Sequence, residues 1–267
     1  MGIQFQFKDF YTFDDLVNIV KILREPGGCP WDREQTHQSI RENFLEETYE
    51  VLEAIDTLNP SLMQEELGDV LLQVVLHSDM ARDEEWFNIG NVCNDICQKL
   101  IIRHPHVFGD VNVNSTDDVL KNWDDIKRQT KSQKTQSEAM ASIPATYPAL
   151  MKAQKVQSKA KKAGFDWDNA DGAFLKVQEE STELREALVK GNADEIENEL
   201  GDLLFSAVNV ARFCHCDAET ALEKATKKFV KRFTETERLA KEKGIDMKEA
   251  SVDVLDELWD EAKTLTK

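Results

Sequence analysis

Turn-forming residues are scarce. The 267 residues hold 6 prolines and 11 glycines, too few for a β-sandwich or barrel, which needs turn chemistry about every 8–12 residues. No β-branched alternation of useful length appears, so the second sign of strands is missing as well. No apolar run approaches the ~18 residues of a membrane span. The amino terminus, MGIQFQFKDF, lacks the basic and apolar regions of a secretory leader, and Gln6 stands where the myristoylation pattern wants Ser or Thr. Basic residues are outnumbered, 33 Lys and Arg against 51 Asp and Glu, for a formal net charge of −18. A nucleic-acid duplex or an anionic membrane would be repelled by that field, and neither is expected as a partner. A small polyanion could bind only where metal ions and a few placed cations invert the local sign. The five cysteines (Cys29, Cys93, Cys97, Cys214 and Cys216) show neither a disulfide framework nor standard zinc spacing. They read as reduced thiols of a cytoplasmic protein.

What is abundant is charge and helix-forming side chains, and the fold class expected is all-α. Helices are expected over 12–24, 39–57, 61–82, 89–102, 116–132, 148–162, 170–190, 193–214, 218–243 and 251–263, with Gly, Pro and Asn clusters between most of them. The stretch 128–148 is polar without an apolar stripe until Tyr147. The expected organisation is a helical domain over 1–135, a linker over 136–147 and a second helical domain over 148–267.

A carboxylate pattern occurs twice. Glu46-Glu47-x-x-Glu50 is followed by Glu66-x-x-Asp69, and Glu179-Glu180-x-x-Glu183 by Glu199-x-x-Asp202, at one constant offset. Residues three and four apart share a helix face, so each copy reads as two helices aiming four or five acids at one point. Oxygen ligands without Cys or His suit a hard cation, Mg²⁺ before Mn²⁺ or Ca²⁺. A single EExxE in an acidic helix is ordinarily a solvated face. Three observations outweigh that reading: the duplication; the position of Asp69 and Asp202 just before the apolar runs VLLQVVL and LLFSAV, which are apolar nearly all round and expected to be buried, so that an acid there is costly unless paired or metal-bound; and Gly68 and Gly201 inside otherwise good helices. Each such glycine costs about 1 kcal/mol against Ala, which suggests close approach of another helix or a ligand. Without metal, the acids repel and the site is expected to be loose or partly protonated.

Outside that block the echo continues with small changes of offset. Lys99 and Arg103 match Lys228 and Arg232, and Trp123 matches Trp259. Basic pairs at i, i+4 often only decorate a surface, and a Trp on a short helix is commonly a packing residue. Their alternative roles are a phosphate clamp and a wall for a base. Trp31-Asp32 is likewise repeated as Trp167-Asp168, and two tandem copies of one domain explain the whole series.

These acid blocks, with Cys29-Pro30-Trp31-Asp32 and Arg103-His104-Pro105-His106-Val107-Phe108, resemble the MazG family of nucleoside triphosphate pyrophosphohydrolases. Its all-α NTP pyrophosphatase superfamily also holds the dimeric dUTPases and phosphoribosyl-ATP pyrophosphohydrolase. The resemblance covers nearly the whole chain. It implies two MazG-like helical bundles completed by dimerisation, and Mg²⁺-dependent hydrolysis of an NTP to NMP and pyrophosphate with broad base specificity and a metal-activated water. It also implies Glu180, Glu183, Glu199 and Asp202 as metal ligands, with Glu47, Glu50, Glu66 and Asp69 as their first-copy equivalents. Lys176, Glu179, Lys228, Arg232 and Trp259 then contact the nucleotide, as do Lys99, Arg103 and Trp123 in the first copy. Asn43 stands where the second copy has Lys176, and the carboxy-terminal copy is favoured as the main catalyst. Glu179 and Glu46, beside the ligands, are the candidate general bases. The rival readings are a narrow dUTPase or damaged-nucleotide enzyme, a non-catalytic nucleotide-binding module serving a regulatory protein partner, and an acidic helical scaffold.

Overall fold

The structure is a computed structural model that describes residues 5–113, 115–116, 118–119, 122–123, 126 and 135–266. Among the described residues there are helices and no strand, in two compact units spanning 1–127 and 128–267. The amino-terminal unit contains α1 (Phe13–Arg24), α2 (Pro30–Glu34), α3 (Arg41–Asp56), α4 (Pro60–Asp83), α5 (Ile89–Arg103) and α6 (Pro105–Phe108). The carboxy-terminal unit contains α7 (Gln136–Ala141), α8 (Ala149–Lys162), α9 (Ala170–Lys190), α10 (Ala193–Phe213), α11 (Ala218–Glu242) and α12 (Val252–Leu265).

Each unit is built on a helical hairpin. In the first, α3 packs on α4, and α1 lies against α4; in the second, α9 packs on α10, and α8 lies against α10. Short connections hold both hairpins. Asn59 caps α4 by accepting from the Leu62 amide, with Pro60 at the first helical position. Asn192 caps α10 by accepting from the amides of Asp194 and Glu195. The residue before each cap is in the left-handed region, Leu58 at φ 52° and Gly191 at φ 73°. These caps satisfy amides that would otherwise be orphaned at the helix start.

The first unit has a continuous apolar interior of Val20, Ile40, Val75, Leu76 and Met80. Burying each such side chain contributes about 1.5–3 kcal/mol relative to leaving it exposed. A ring cluster adjoins it: His37 and His77 place their Nδ1 atoms 2.7 Å apart, and Trp86 stacks on His37 with centroids 5.5 Å apart. In the second unit the corresponding cluster lies instead in the α11–α12 hairpin, where Leu239, Ala240, Leu258 and Ala262 are buried.

Several expectations change. The stretch expected as a linker, 136–147, contains α7, capped by a reciprocal Thr135–Glu138 box and packed on α8 with Ala139 buried. Its buried face is one alanine wide, so no apolar stripe announced it. Pro60 and Pro105, expected as breakers between helices, open α4 and α6. The helix expected over 116–132 lies largely outside the described residues. The apolar runs after Asp69 and Asp202 are not buried all round: Leu204 is 51% and Phe205 43% exposed. Helix α10 is covered by α8, α9 and α11 on its other sides. Gly68 and Gly201 are similarly open, with nothing within 4 Å of an added Cβ.

Candidate functional site

The acids lie along the two hairpins. Glu179, Glu180 and Glu183 project from α9 and Glu199 and Asp202 from α10, as Glu46, Glu47 and Glu50 do from α3 and Glu66 and Asp69 from α4. Helix pairing brings one carboxylate oxygen from each of Glu180, Glu199 and Asp202 within 4.8 Å of the others, and does the same for Glu47, Glu66 and Asp69. Glu180 acts electrostatically on Glu183, and Glu50 on Glu47 and Glu66, so the fourth acid of each copy lies beside the other three. Eight acids thus form two quartets. Glu46 and Glu179 are exposed on the same helix faces beside them.

Two unit charges 4 Å apart repel by about 4 kcal/mol at an effective dielectric of 20. The clusters answer with carboxyls whose pKa is raised. Loss of solvent, then Asp69 and Glu50, pushes the Glu47 carboxyl above its ordinary range, and loss of solvent followed by Glu50 does so for Glu66. In the second copy Glu183 is raised by loss of solvent and then by Glu180 and Glu199. That copy also holds a cation. Lys176 Nζ lies 2.8 Å from Glu179 and 2.7 Å from Glu180, and those bonds push its own pKa up. Asn43 occupies the matching place in the first copy and supplies no charge.

The basic pairs are placed differently. Lys228 and Arg232 lie on α11, which packs against α8, α10 and α12. Among the described residues neither makes a hydrogen bond or ion pair to the quartet, and the Arg232 Nε is buried without a partner. Trp259 on α12 packs at 5.1 Å on Phe229. In the first unit the Arg103 guanidinium lies 5.0 Å over the Trp123 ring, while Lys99 is exposed. The structure therefore assembles the acids, and pairs Arg103 with Trp123, without closing a cationic clamp over either quartet.

Sequence reasoning missed a cavity. About 560 Å³ opens beside the second quartet, sharing Lys176, Glu180 and Asp202 with it and continuing to Trp167, Gln157 and Asn209. Gln157 and Asn209 sit in no motif. The only available signal lay in the difference between copies, where Ile40 and Leu76 align with Ala173 and Asn209 at the carboxylate offset.

A family model described as the MazG nucleotide pyrophosphohydrolase domain matches residues 35–108 and 172–237, so each match contains one acid block. The nucleoside triphosphate pyrophosphohydrolase/pyrophosphatase MazG of Thermotoga maritima is 47% identical over 251 residues, covering 94% of this chain and 95% of that protein. The nucleoside triphosphate pyrophosphohydrolase of Escherichia coli K12 is 42% identical over 255 residues, covering 94% and 96%. The uncharacterized protein YabN of Bacillus subtilis is 46% identical over 95% of this chain, which corresponds to 52% of that longer protein.

Proposed function

The chain belongs to the MazG nucleotide pyrophosphohydrolase family, and on that premise we propose that it hydrolyses nucleoside triphosphates to the monophosphate and pyrophosphate, with divalent-metal dependence and broad base tolerance. The observation that carries the reading is the pair of carboxylate quartets, each with three acids converging within 4.8 Å. The donor set fits Mg²⁺, with Mn²⁺ as a substitute. It is all oxygen, it is crowded enough to raise its own carboxyls, and it lacks the nitrogen and sulfur ligands that softer ions prefer. Glu180, Glu183, Glu199 and Asp202 would hold the metal in the second copy, and Glu47, Glu50, Glu66 and Asp69 in the first. When bound, the ion supplies a water of lowered pKa and neutralises phosphate charge.

The chain's own groups supply the remainder. Glu179, an exposed carboxylate against Lys176, accepts the proton of the attacking water, as Glu46 would in the first copy. Lys176, Lys228 and Arg232 offset the substrate's negative charge, and Trp259 and Phe229 form an apolar wall. Lys99, Arg103 and Trp123 are the first-copy counterparts. The carboxy-terminal copy is the main catalyst, since it alone carries the internal lysine.

The chain acts as a homodimer. Leu67, Leu71, Leu200 and Leu204 are exposed along the hairpin helices that carry the open Gly68 and Gly201. A second copy against those faces would bury them and bring its basic residues toward the acids. No helix among the described residues is long and apolar enough to cross a membrane.

The test is chromatographic analysis of a mixture of ribo- and deoxyribonucleoside triphosphates after incubation with and without Mg²⁺. Monophosphate and pyrophosphate appearing only with the metal is the expected result. Intact triphosphates under both conditions would overturn the assignment.

A further inference from the structure

We propose that His37 and His77 form a proton-operated latch in the amino-terminal unit, which holds residues 35–40 and the start of α3 on α4 while neutral and releases them on protonation. It rests on neither the hydrolytic reading nor the acid quartets. The two Nδ1 atoms are 2.7 Å apart, and the ring planes differ by 12°. The ring centroids are 5.0 Å apart, no more than that gap plus one ring radius at each end, so the imidazoles lie end to end in nearly one plane. Such a line is an N–H···N hydrogen bond with one proton between two nitrogens. A zinc ion on the same line would separate them by about 4 Å, so the spacing fits a proton and not a metal.

A count of protons gives the latch its two states. The neutral pair has two N–H groups. His37 Nε2 is buried without a hydrogen-bond partner among the described residues, and a bare nitrogen costs less there than a stranded donor. His37 therefore carries its proton on Nδ1 and donates to His77, whose own proton sits on Nε2. One added proton makes three N–H groups. If the bond between the rings is kept, the third is His37 Nε2–H, a buried donor on a charged ring with no acceptor. Otherwise both Nδ1 atoms carry hydrogens and face each other. Both outcomes favour opening. Trp86 lies parallel to the His37 ring at 5.5 Å and favours charge on it, but by less than the cost of a stranded, charged donor.

What the latch holds is defined. Gln35, Thr36 and Ser39 hydrogen-bond among themselves, so residues 35–40 move as one turn. The turn ends at Ile40, 1% exposed in the core, where α3 starts without a side-chain cap. Among the described residues, the His37–His77 bond is the one side-chain hydrogen bond from this turn to α4. Charged groups on the surrounding elements are Arg33 and Glu34 of α2, Arg41 and Glu42 in the first turn of α3, and Glu84 and Glu85 beside Trp86, all exposed. Arg24 of α1 pairs with Asp79 and Asp83 of α4, and Arg82 pairs with the same two acids. Neither these nor the quartet acids act on His77; loss of solvent, then the charge of His37, holds its pKa below the ordinary range. A histidine lowered on folding adds stability above its ordinary pKa of about 6.5, and that contribution is lost as pH falls through the folded value. The latch belongs to one copy, since His37, Phe44 and His77 align with Ala170, Val177 and Val210 at the carboxylate offset.

The test is hydrogen exchange of the full chain, read by mass spectrometry at about pH 7.5 and about pH 5.5, one unit either side of the ordinary histidine pKa. His77→Phe keeps a ring against Phe44 and takes no proton. His37→Asn offers a protonated His77 an acceptor without a second charge. Each variant is compared with the wild type at the same pH, so the chemical exchange rate and the titration of carboxyls cancel. Relative to either variant, wild-type peptides spanning residues 35–44 are expected to gain about tenfold in opening between the higher and the lower pH, with no such gain in peptides from α9 and α10. A wild-type to variant ratio equal at the two pH values would overturn the latch. Thermal melting at the higher pH shows whether each variant folds, and either one suffices. If neither folds, imidazole nitrogen NMR of the wild type decides. Protons on His37 Nδ1 and His77 Nε2, with His77 titrating below the ordinary value, are expected; two rings titrating independently at that value would overturn the proposal.

Discussion

Around the same hairpin of acids, the amino-terminal copy packs Ile40, Leu76 and Val20 into an apolar interior, and the carboxy-terminal copy has Ala173, Asn209 and a cavity. At the acids themselves the first copy has Asn43, and two of its four carboxyls are raised. The second has Lys176 in ion pairs with Glu179 and Glu180. Both changes run one way. One copy keeps the four acids among large aliphatic neighbours, and the other has a cavity and a cation beside the same four acids. The acid motif is common to the two copies, and its neighbours are what distinguish them.

The comparison breaks most sharply if the wrong copy turns over. Glu183→Ala is expected to lower kcat/KM for triphosphates by about 100-fold or more, because it removes a proposed metal ligand. Glu50→Ala, at the equivalent place, should change it by about twofold or less. Product chromatography on the two proteins decides, and equal losses would mean that Asn43 and the filled interior do not matter. Lys176→Asn comes next, since it recreates the first copy's electrostatics within the second. Removing a single charge-assisted hydrogen bond to the substrate should raise KM about tenfold. Carboxyl titration by NMR should show Glu183 raised further, because Lys176 now lowers it. An unchanged KM would mean that the lysine does not distinguish the two copies.

The acid quartets were legible because helical spacing, duplication and ligand chemistry are all local properties of sequence. The all-α class and the two copies followed from the same locality. Helix α7 was hidden by its polarity, since Thr135 and Glu138 define it more than any apolar stripe does. The cavity was hidden for another reason. Its lining gathers Gln157 from α8, Ala173 from α9 and Asn209 from α10, and only tertiary packing makes these neighbours. The exposed Leu204 and Phe205 were misjudged because an apolar run reports the need for burial without saying whether the same chain supplies the cover.

A smaller effect concerns pH. Carboxyls raised in the folded state bind more protons there than in the unfolded chain. Their contribution to stability is therefore present at low pH and is lost as pH rises from the ordinary carboxylate pKa through the raised folded values of Glu47, Glu66 and Glu183. Metal-free protein should lose melting temperature over that window relative to a variant with the quartets neutralised, and Mg²⁺ should restore it. The Mg²⁺ increment should accordingly be larger at pH 7 than at pH 5, read by thermal melting in both buffers. Asn43→Lys should flatten the first unit's share by giving its acids the partner that the second unit already has. A pH-independent Mg²⁺ increment would mean that proton release from these carboxyls does not accompany metal binding.

The smallest expected effect lies in the hairpin turns, away from both sites. Leu58 and Gly191 occupy the same left-handed position before the capping asparagine, at φ 52° and 73°. An L side chain there costs about 1–2 kcal/mol. Glycine escapes that cost but gives back about 0.5–1 kcal/mol through its freer unfolded chain. Because Leu58 is 85% exposed, its removal sacrifices little packing. Leu58→Gly should stabilise the first unit by about 0.5 kcal/mol, or about 2 °C in Tm for a domain of this size. Gly191→Leu should destabilise the second by a similar or larger amount. Melting of the two single variants, with hydrolysis measured alongside, separates the turn from the chemistry. If Leu58→Gly instead destabilises, Leu58 makes a contact outside its own chain, and the first unit's hairpin tip would belong to an interface.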